Sequence, residues 1–363
     1  MIFAGKVIAC LVWLFWMMIV DNSAMGQDNI SISLEYNPTY GTTYDRVIAR
    51  GYVICGTNDE FPGFSEEIFD HPDGLQMVGF DVDICKAVAA AVFGDSDSIQ
   101  YEIIDGVTRF TSLAEGSIDM LSAATTFTFT RNVLKRFEFL PTTYYDGQGF
   151  ITKRTLGVSS AKQMHGAKIC FAGSGTAAKN IADFMELHEI QYIPVDVGEN
   201  ENTRDVYLRG DCDMYGTDRS GLASNRLGFR NPELHIILPE IISKEPLGPV
   251  VKYGDQKWSD IVRWTVYVLF IAEEMGINSI NIDTFKNNID PNIQRFMGEK
   301  NGADHPNLGA KLGLPATWSY DVIKQVGNYK EIFDRNITKK LGLKRGLNKL
   351  YNKGGLLYAP PLK

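Results

Sequence analysis

The sequence predicts an α/β protein built from two lobes of similar topology, and three observations carry that expectation. Apolar strand-length runs alternate with helical stretches from Tyr44 onward, the rhythm of a parallel or mixed sheet covered by helices. The rhythm restarts after Lys162. The two halves also share an ordered set of residues: Thr108-Arg109, Leu113, Gly116, Asp119-Met120 and Thr125 in one, and Thr203-Arg204, Leu208, Gly210, Asp213-Met214 and Thr217 in the other. In each set the glycine is expected to end a helix in a left-handed conformation, and the Gly-x-x-Asp turn to feed the next strand.

In chain order, a polar lead-in with Pro38 and Gly41 precedes a short helix over Tyr44–Arg50, stopped by Gly51, and a buried strand over Tyr52–Cys55. Gly56–Gly74, with its turn residues and three phenylalanines, reads as a loop. Asp81 is the expected N-cap of an apolar helix running through Val92, with Gly94 in the stop position. A strand over Tyr101–Ile104, a helix over Arg109–Ala114 and a strand over Met120–Ala123 complete the first half. The second half reads as strand Lys168–Phe171, helix Ala178–Leu187, strand Tyr192–Val197, helix Arg204–Leu208 and strand Asp213–Thr217. Glu240–Val251, with Pro246 and Pro249, reads as an extended crossing segment. The long helix expected over Gln256–Glu274 buries Trp258, Ile261, Val262, Thr265, Val268, Leu269 and Ala272 at helical spacing. The tail to Lys363 adds helices over Ser319–Val326 and Glu331–Arg335.

With 363 residues, 44% of them hydrophobic and 22% charged, the chain has ample material for a core and is too apolar for a disordered protein. Its net charge of −8 argues against nucleic acid as a partner. Ile8–Val20 is an almost unbroken apolar run, preceded by Lys6 and followed by Asp21, Asn22 and Ser23, the layout of a secretory signal peptide. Ala24 and Gly26 place cleavage after Gly26; an uncleaved anchor is the alternative. Ile261–Ile271 is too short for a membrane span and is interrupted by Arg263. Removal of Cys10 with the leader leaves Cys55, Cys85, Cys170 and Cys212, an even number read in an oxidising compartment as two bridges. Of the three pairings, the sequential Cys55–Cys85 and Cys170–Cys212 keeps each bridge local and is preferred, with buried free thiols as the alternative. No metal site is expected, because no pair has Cys-x-x-Cys spacing and the five histidines (His71, His165, His188, His235, His305) are scattered.

There is no Gly-x-Ser-x-Gly, Walker loop, His-Glu-x-x-His or dinucleotide fingerprint in a strand-to-helix setting. The remaining chemistry lies in polar residues at strand ends, where open α/β sheets bind ligands. Arg131, in Thr-Thr-Phe-Thr-Phe-Thr-Arg, follows a strand among hydroxyls and is suited to a two-point grip on a carboxylate; otherwise it is a surface arginine. Asp218 ends the corresponding strand of the second half and is suited to an ammonium group, or to an N-cap. Ser174-Gly175-Thr176 opens a helix, where backbone N–H groups receive anions, although the signal is weak. Phe61 and Phe64, beside Asn58, line a side-chain pocket or plug the core. A zwitterion fits between Arg131 and Asp218.

At these residues the chain resembles the periplasmic amino-acid-binding proteins of ABC importers, bacterial extracellular solute-binding protein family 3, and most closely their general L-amino-acid-binding branch. Gly79-Phe80-Asp81-Val82-Asp83, Tyr144-Tyr145-Asp146-Gly147-Gln148-Gly149-Phe150, Pro239 to Pro249 and Tyr358-Ala359-Pro360-Pro361 carry the resemblance, which covers Tyr44 to Lys363. It implies a two-lobed periplasmic-binding-protein fold (type II) with two crossing strands as hinge, near Tyr144–Gly147 and Ile241–Pro246, and the ligand in the interlobe cleft. The implied organisation is a signal peptide over 1–26, an extension over 27–44, a discontinuous first lobe over 45–145 and 246–363, and a second lobe over 146–245. The resemblance implies that Arg131 holds an α-carboxylate with Thr126 and Thr176, that Asp218 holds the α-ammonium, and that Asn58 and Phe61 meet the side chain. Ser174-Gly175-Thr176 stands where relatives often have Gly-Thr-Thr, and Ala124 where a polar residue is common, leaving the ligand fewer fixed hydroxyl contacts. The function implied is capture of L-amino acids in the periplasm by a monomer that needs no cofactor and has no catalytic residue, and delivery to a membrane permease. The alternatives are a dehydratase-like enzyme on a small carboxylate, with Glu60 or Asp59 as acid or base, and a ligand-sensing module.

Overall fold

The computed structural model describes residues 42–71, 74–198, 201–298 and 308–363. The expected leader, its cleavage site and the lead-in lie outside them.

Helix α1 (Thr43–Arg50) is opened by a reciprocal cap between Thr42 and Asp45 and closed by Gly51 at φ 89°. Strand β1 (Val53–Thr57) follows. The segment read as a loop is instead a small antiparallel sheet of β2 (Glu60–Phe61), β3 (Ser65–His71) and β4 (Gly74–Val78). Adjacent acidic residues Glu66 and Glu67 hide its alternation, and pairing with β4, not burial, makes it a strand. Helix α2 (Phe80–Phe93) starts two residues earlier than expected, with Gly79 and not Asp81 at its N-cap. Gly79 has φ 138° and packs against the Phe64 carbonyl, a place where any Cβ would collide. Asp81 is turned inward: its carboxylate accepts from the Ser122 hydroxyl at 3.0 Å and the Ala124 amide at 2.7 Å. Burial pushes it up to about pKa 6 against the pull of those two donors.

Strand β5 (Ile99–Ile103), helix α3 (Thr108–Glu115) and strand β6 (Met120–Leu121) complete the first repeat. The strand is shorter than expected because Ala124, at φ 43°, turns the chain out of the sheet onto Asp81. A π-helical turn over Thr130–Leu134 leads to β7 (Phe137–Phe139), then β8 (Tyr144–Asp146) and β9 (Gln148–Lys153). The second repeat is β10 (Lys168–Ala172), α4 (Ala177–Leu187), β11 (Ile193–Val197), α5 (Thr203–Arg209), β12 (Met214–Asp218), α6 (Arg219–Leu227) and β13 (His235–Ile237). The repeated glycines end α3 and α5 left-handed, at φ 81° for Gly116 and 92° for Gly210. The crossing segment divides into β14 (Glu245–Leu247) and β15 (Val250–Lys252). Then come α7 (Gln256–Met275), with Asp255 as its N-cap, α8 (Pro291–Met297), α9 (Leu308–Leu312), α10 (Trp318–Val326), α11 (Tyr329–Phe333), a π-turn over Asp334–Thr338 and α12 (Lys339–Leu341). The helix expected over Glu331–Arg335 thus begins earlier, at the Asn328–Glu331 capping box.

Two five-stranded sheets result, ordered β5-β1-β6-β15-β7 and β11-β10-β12-β9-β13, so the structure is the expected two-lobed α/β arrangement. Strands β8 and β14 pair antiparallel between them. The first sheet is covered by α2 and α7, whose buried faces share a core with Phe80, Trp258, Tyr329 and Phe333. Disulfides join Cys55 of β1 to Cys85 of α2, and Cys170 of β10 to Cys212 before β12, the sequential pairing. Among the described residues no helix is long and apolar enough to cross a membrane.

Candidate functional site

The strand ends of both sheets and the paired crossing strands meet at one cleft. Ser224 of α6 donates to the Pro62 carbonyl at 2.8 Å, and a Cβ at Gly106 would lie 2.5 Å from the Ser174 hydroxyl, so the walls touch on both sides.

Arg131 hangs from the π-turn into this cleft and is 8% exposed, which removes the surface-arginine reading. Its guanidinium donates to the Thr126 carbonyl at 2.8 Å and lies over the Phe110 ring at 5.2 Å. Burial lowers its pKa, while the carboxylates of Glu245 and Asp218 act in the opposite direction. Thr126 is held in place by a bridge to Leu247, so the guanidinium's anchor is tied to the hinge.

Asp218 occupies the N-cap position of α6, but its side chain makes no capping bond. The capping task falls to Asp146, whose carboxylate accepts from the Ser220 amide at 3.1 Å and the Gly147 amide at 2.8 Å. Asp218 is thereby left to face Arg131. Burial, followed by the charges of Asp146 and Glu245, holds its carboxyl well above the ordinary range, against the pull of Arg131 and Arg109. Among the described residues no histidine, cysteine and carboxylate groups are arranged to hold a metal.

Thr176 stands at the mouth of α4, but its hydroxyl donates to Glu245 at 3.2 Å. Glu245, 1% exposed, also accepts from Asn180 and Ser243, both at 2.7 Å. Asn58, at the end of β1, and Phe61 are half-buried. Phe61 stacks on Phe64 at 4.6 Å and approaches Gly221 of α6 across the cleft. Phe64 is 1% exposed and packs against Phe80 and Tyr144, so it is a core residue. Glu60 is exposed.

Three further groups escape a reading of the sequence. Glu245 and Asp146 lie within stretches that register only as resemblance, and Arg109 only as part of a repeat. Arg109 is half-buried beside Phe110, and its Nε, itself out of contact with water, has no hydrogen-bond partner. Burial and the neighbouring Arg131 push it down to about 9, while Asp218 and Asp105 act to raise it. Its counterpart in the second repeat, Arg204, pairs with Asp205 instead. The cleft therefore has two arginines on one wall and a free carboxylate on the other, a layout for a zwitterion with a second acceptor group.

The chain is 48% identical over 325 residues to the general L-amino acid-binding periplasmic protein AapJ of Rhizobium johnstonii, covering 89% of this chain and 93% of that protein. It is 44% identical over 326 residues to the glutamate/glutamine/aspartate/asparagine-binding protein BztA of Rhodobacter capsulatus, covering 89% and 94%. Among solved structures, an ABC transporter periplasmic binding protein from Brucella ovis with glutathione bound superposes with a TM-score of 0.85 at 40% identity, over 89% of this chain and 100% of that one. Residues 53–339 match the family of bacterial extracellular solute-binding proteins, family 3, and with these relatives they show that the chain belongs to it.

Proposed function

We propose that this protein is an extracytoplasmic receptor, acting in the periplasm as a monomer, that closes on free L-amino acids and delivers them to the permease of an ABC importer. The observation that carries the reading is the uncapped Asp218 carboxylate facing the buried Arg131 guanidinium. A ligand bridging the two groups binds the closed form better than the open one, which drives closure. The lobes proposed are 45–145 with 246–363, and 146–245. The names of the relatives support an amino acid as ligand. Arg131 takes the α-carboxylate beside Thr126, Asp218 takes the α-ammonium, and Asn58 and Phe61 meet the side chain. Thr176 contributes through Glu245. Arg109, with its unpartnered Nε, receives a side-chain carboxylate or amide oxygen, so glutamate, aspartate and their amides are the preferred ligands. Binding of this kind needs no general base and no cofactor.

A second reading, a γ-glutamyl peptide, has the glutathione-bound relative in its favour, because the glutamyl end of glutathione is itself a free α-amino acid. Calorimetric titration of the mature chain with L-amino acids, D-glutamate, succinate and glutathione separates these. One-to-one binding of several L-amino acids is expected. Arg131→Ala should weaken every one of them, by about a hundredfold for a buried charged pair, whereas Arg109→Ala should weaken glutamate far more than alanine. Binding of succinate but of no amino acid would overturn the reading.

A further inference from the structure

The family match ends at residue 339, yet the chain continues to Lys363 and folds back on the hinge. Strands β8 and β14 pair with Tyr145 opposite Pro246. Proline has no N–H, and the Pro246 carbonyl accepts from the Phe127 amide at 2.8 Å, on the side away from β8. The pair is therefore of the antiparallel kind that exchanges no hydrogen bonds, and the Tyr145 N–H and C=O point to the outer edge of the hinge. There they meet one side chain. The Asn348 Oδ1 accepts from the Tyr145 N–H at 2.6 Å, and its Nδ2 donates to the Tyr145 carbonyl at 3.2 Å. One amide thus does the work of a third strand at a single residue.

Asn348 is 4% exposed and is held from several directions. Its own carbonyl accepts from the Arg345 Nε at 2.7 Å, and the Arg345 guanidinium reaches both oxygens of Glu273 on α7. Leu350 and Leu357, 3% and 1% exposed, anchor the loop beyond it. On the far side of Tyr145 the bonds pass to other segments: Asp146 caps α6, the Gly147 carbonyl accepts from the Arg219 amide at 2.9 Å, and a Cβ at Gly147 would collide with Ile241 and lie 2.7 Å from the Ser243 carbonyl.

We propose that Asn348 is a positioning residue of the hinge: it fixes the first crossing strand to the first lobe up to Tyr145, so that the bend of closure is confined to Asp146–Gly147 and Asp218 is presented to Arg131 in register. A looser strand would give the open form more conformations and make the closed, ligand-holding form less populated. The inference rests on closure around a ligand but not on which ligand.

The test compares full-length mature wild type, Asn348→Ala and Asn348→Asp. Asn348→Asp keeps the shape and puts an oxygen against the Tyr145 carbonyl, so it separates hydrogen bonding from packing. In the unliganded proteins, amide exchange at Tyr145 should quicken by about tenfold or more in Asn348→Ala, which removes the acceptor, and stay closer to wild type in Asn348→Asp, which keeps an acceptor for that N–H and loses only the donor to the Tyr145 carbonyl. L-Glutamine should bind about tenfold more weakly, the size expected for one lost buried amide pairing, with the change in the dissociation rate. Wild-type exchange at Tyr145 in Asn348→Ala, or wild-type dissociation in Asn348→Asp, would overturn the proposal, whether or not the melting temperature falls. If Asn348→Ala does not fold, Asn348→Asp carries the test. Failure of wild type to bind any amino acid would instead count against the proposed function, and the exchange data would still decide the role of Asn348.

Discussion

Asp218 stands where helices usually recruit an acceptor for their first amides, and the structure gives that task to Asp146 of the first crossing strand. The exchange leaves one carboxylate satisfied and the other facing the cleft, crowded by Asp146 and Glu245. Its pKa is raised, so the proton stays on to higher pH than on an ordinary aspartate. A ligand ammonium requires the ionised form and must displace that proton. Affinity for L-glutamine is therefore expected to be full above the raised pKa and to fall by about tenfold per pH unit below it. Titration in buffers of different ionisation heats should register the released proton, and Asp218→Asn should abolish both the release and the slope. A flat profile in the wild type from above the ordinary carboxylate range up to neutral pH would mean that Asp218 is ionised before the ligand arrives.

At the scale of elements, each disulfide ties a strand to a neighbouring segment of the same lobe, across 30 residues for Cys55–Cys85 and 42 for Cys170–Cys212. Loops of this size restrain the unfolded chain by roughly 4 kcal/mol apiece in the loop-entropy model. Cys170→Ala with Cys212→Ala is expected to lower the unfolding free energy by about that amount, read by urea denaturation, with ligand affinity of the folded fraction unchanged. The elements legible in the sequence were those with strong periodicity or a capping signal. The glycines at 116 and 210 and the long helix from Gln256 are of this kind, and both disulfide pairings follow from the even count and local spacing of the cysteines. The hairpin of β3 and β4 was not, because the adjacent Glu66 and Glu67 break the alternation that would mark a face. Asp81 looked like a cap because a cap and a buried loop anchor use the same acceptor chemistry. Arg131 and Asp218 stand out in the sequence because one follows a strand and the other ends one. Arg109 and Glu245 needed the fold, since only packing shows which charged side chains lose their contact with water.

Over the whole molecule, the two sheets differ in how their strands are gathered. The second uses one continuous stretch, from Gln148 to Ile237. In the first, β15 lies between β6 and β7 and so arrives only after the second sheet is complete in sequence. Contacts between distant segments form late. Pulse-labelled exchange during refolding is expected to protect the β10 and β12 amides before those of β1 and β6; simultaneous protection would mean that the lobes fold as one unit. The tail extends the same logic in time. Asn348 lies 203 residues after Tyr145, and until it is made and reaches that residue the hinge lacks its outer brace. A chain emerging from a ribosome therefore holds neither a finished first sheet nor a finished hinge. If it is exported unfolded, as the secretory layout of its leader implies, that delay works in its favour.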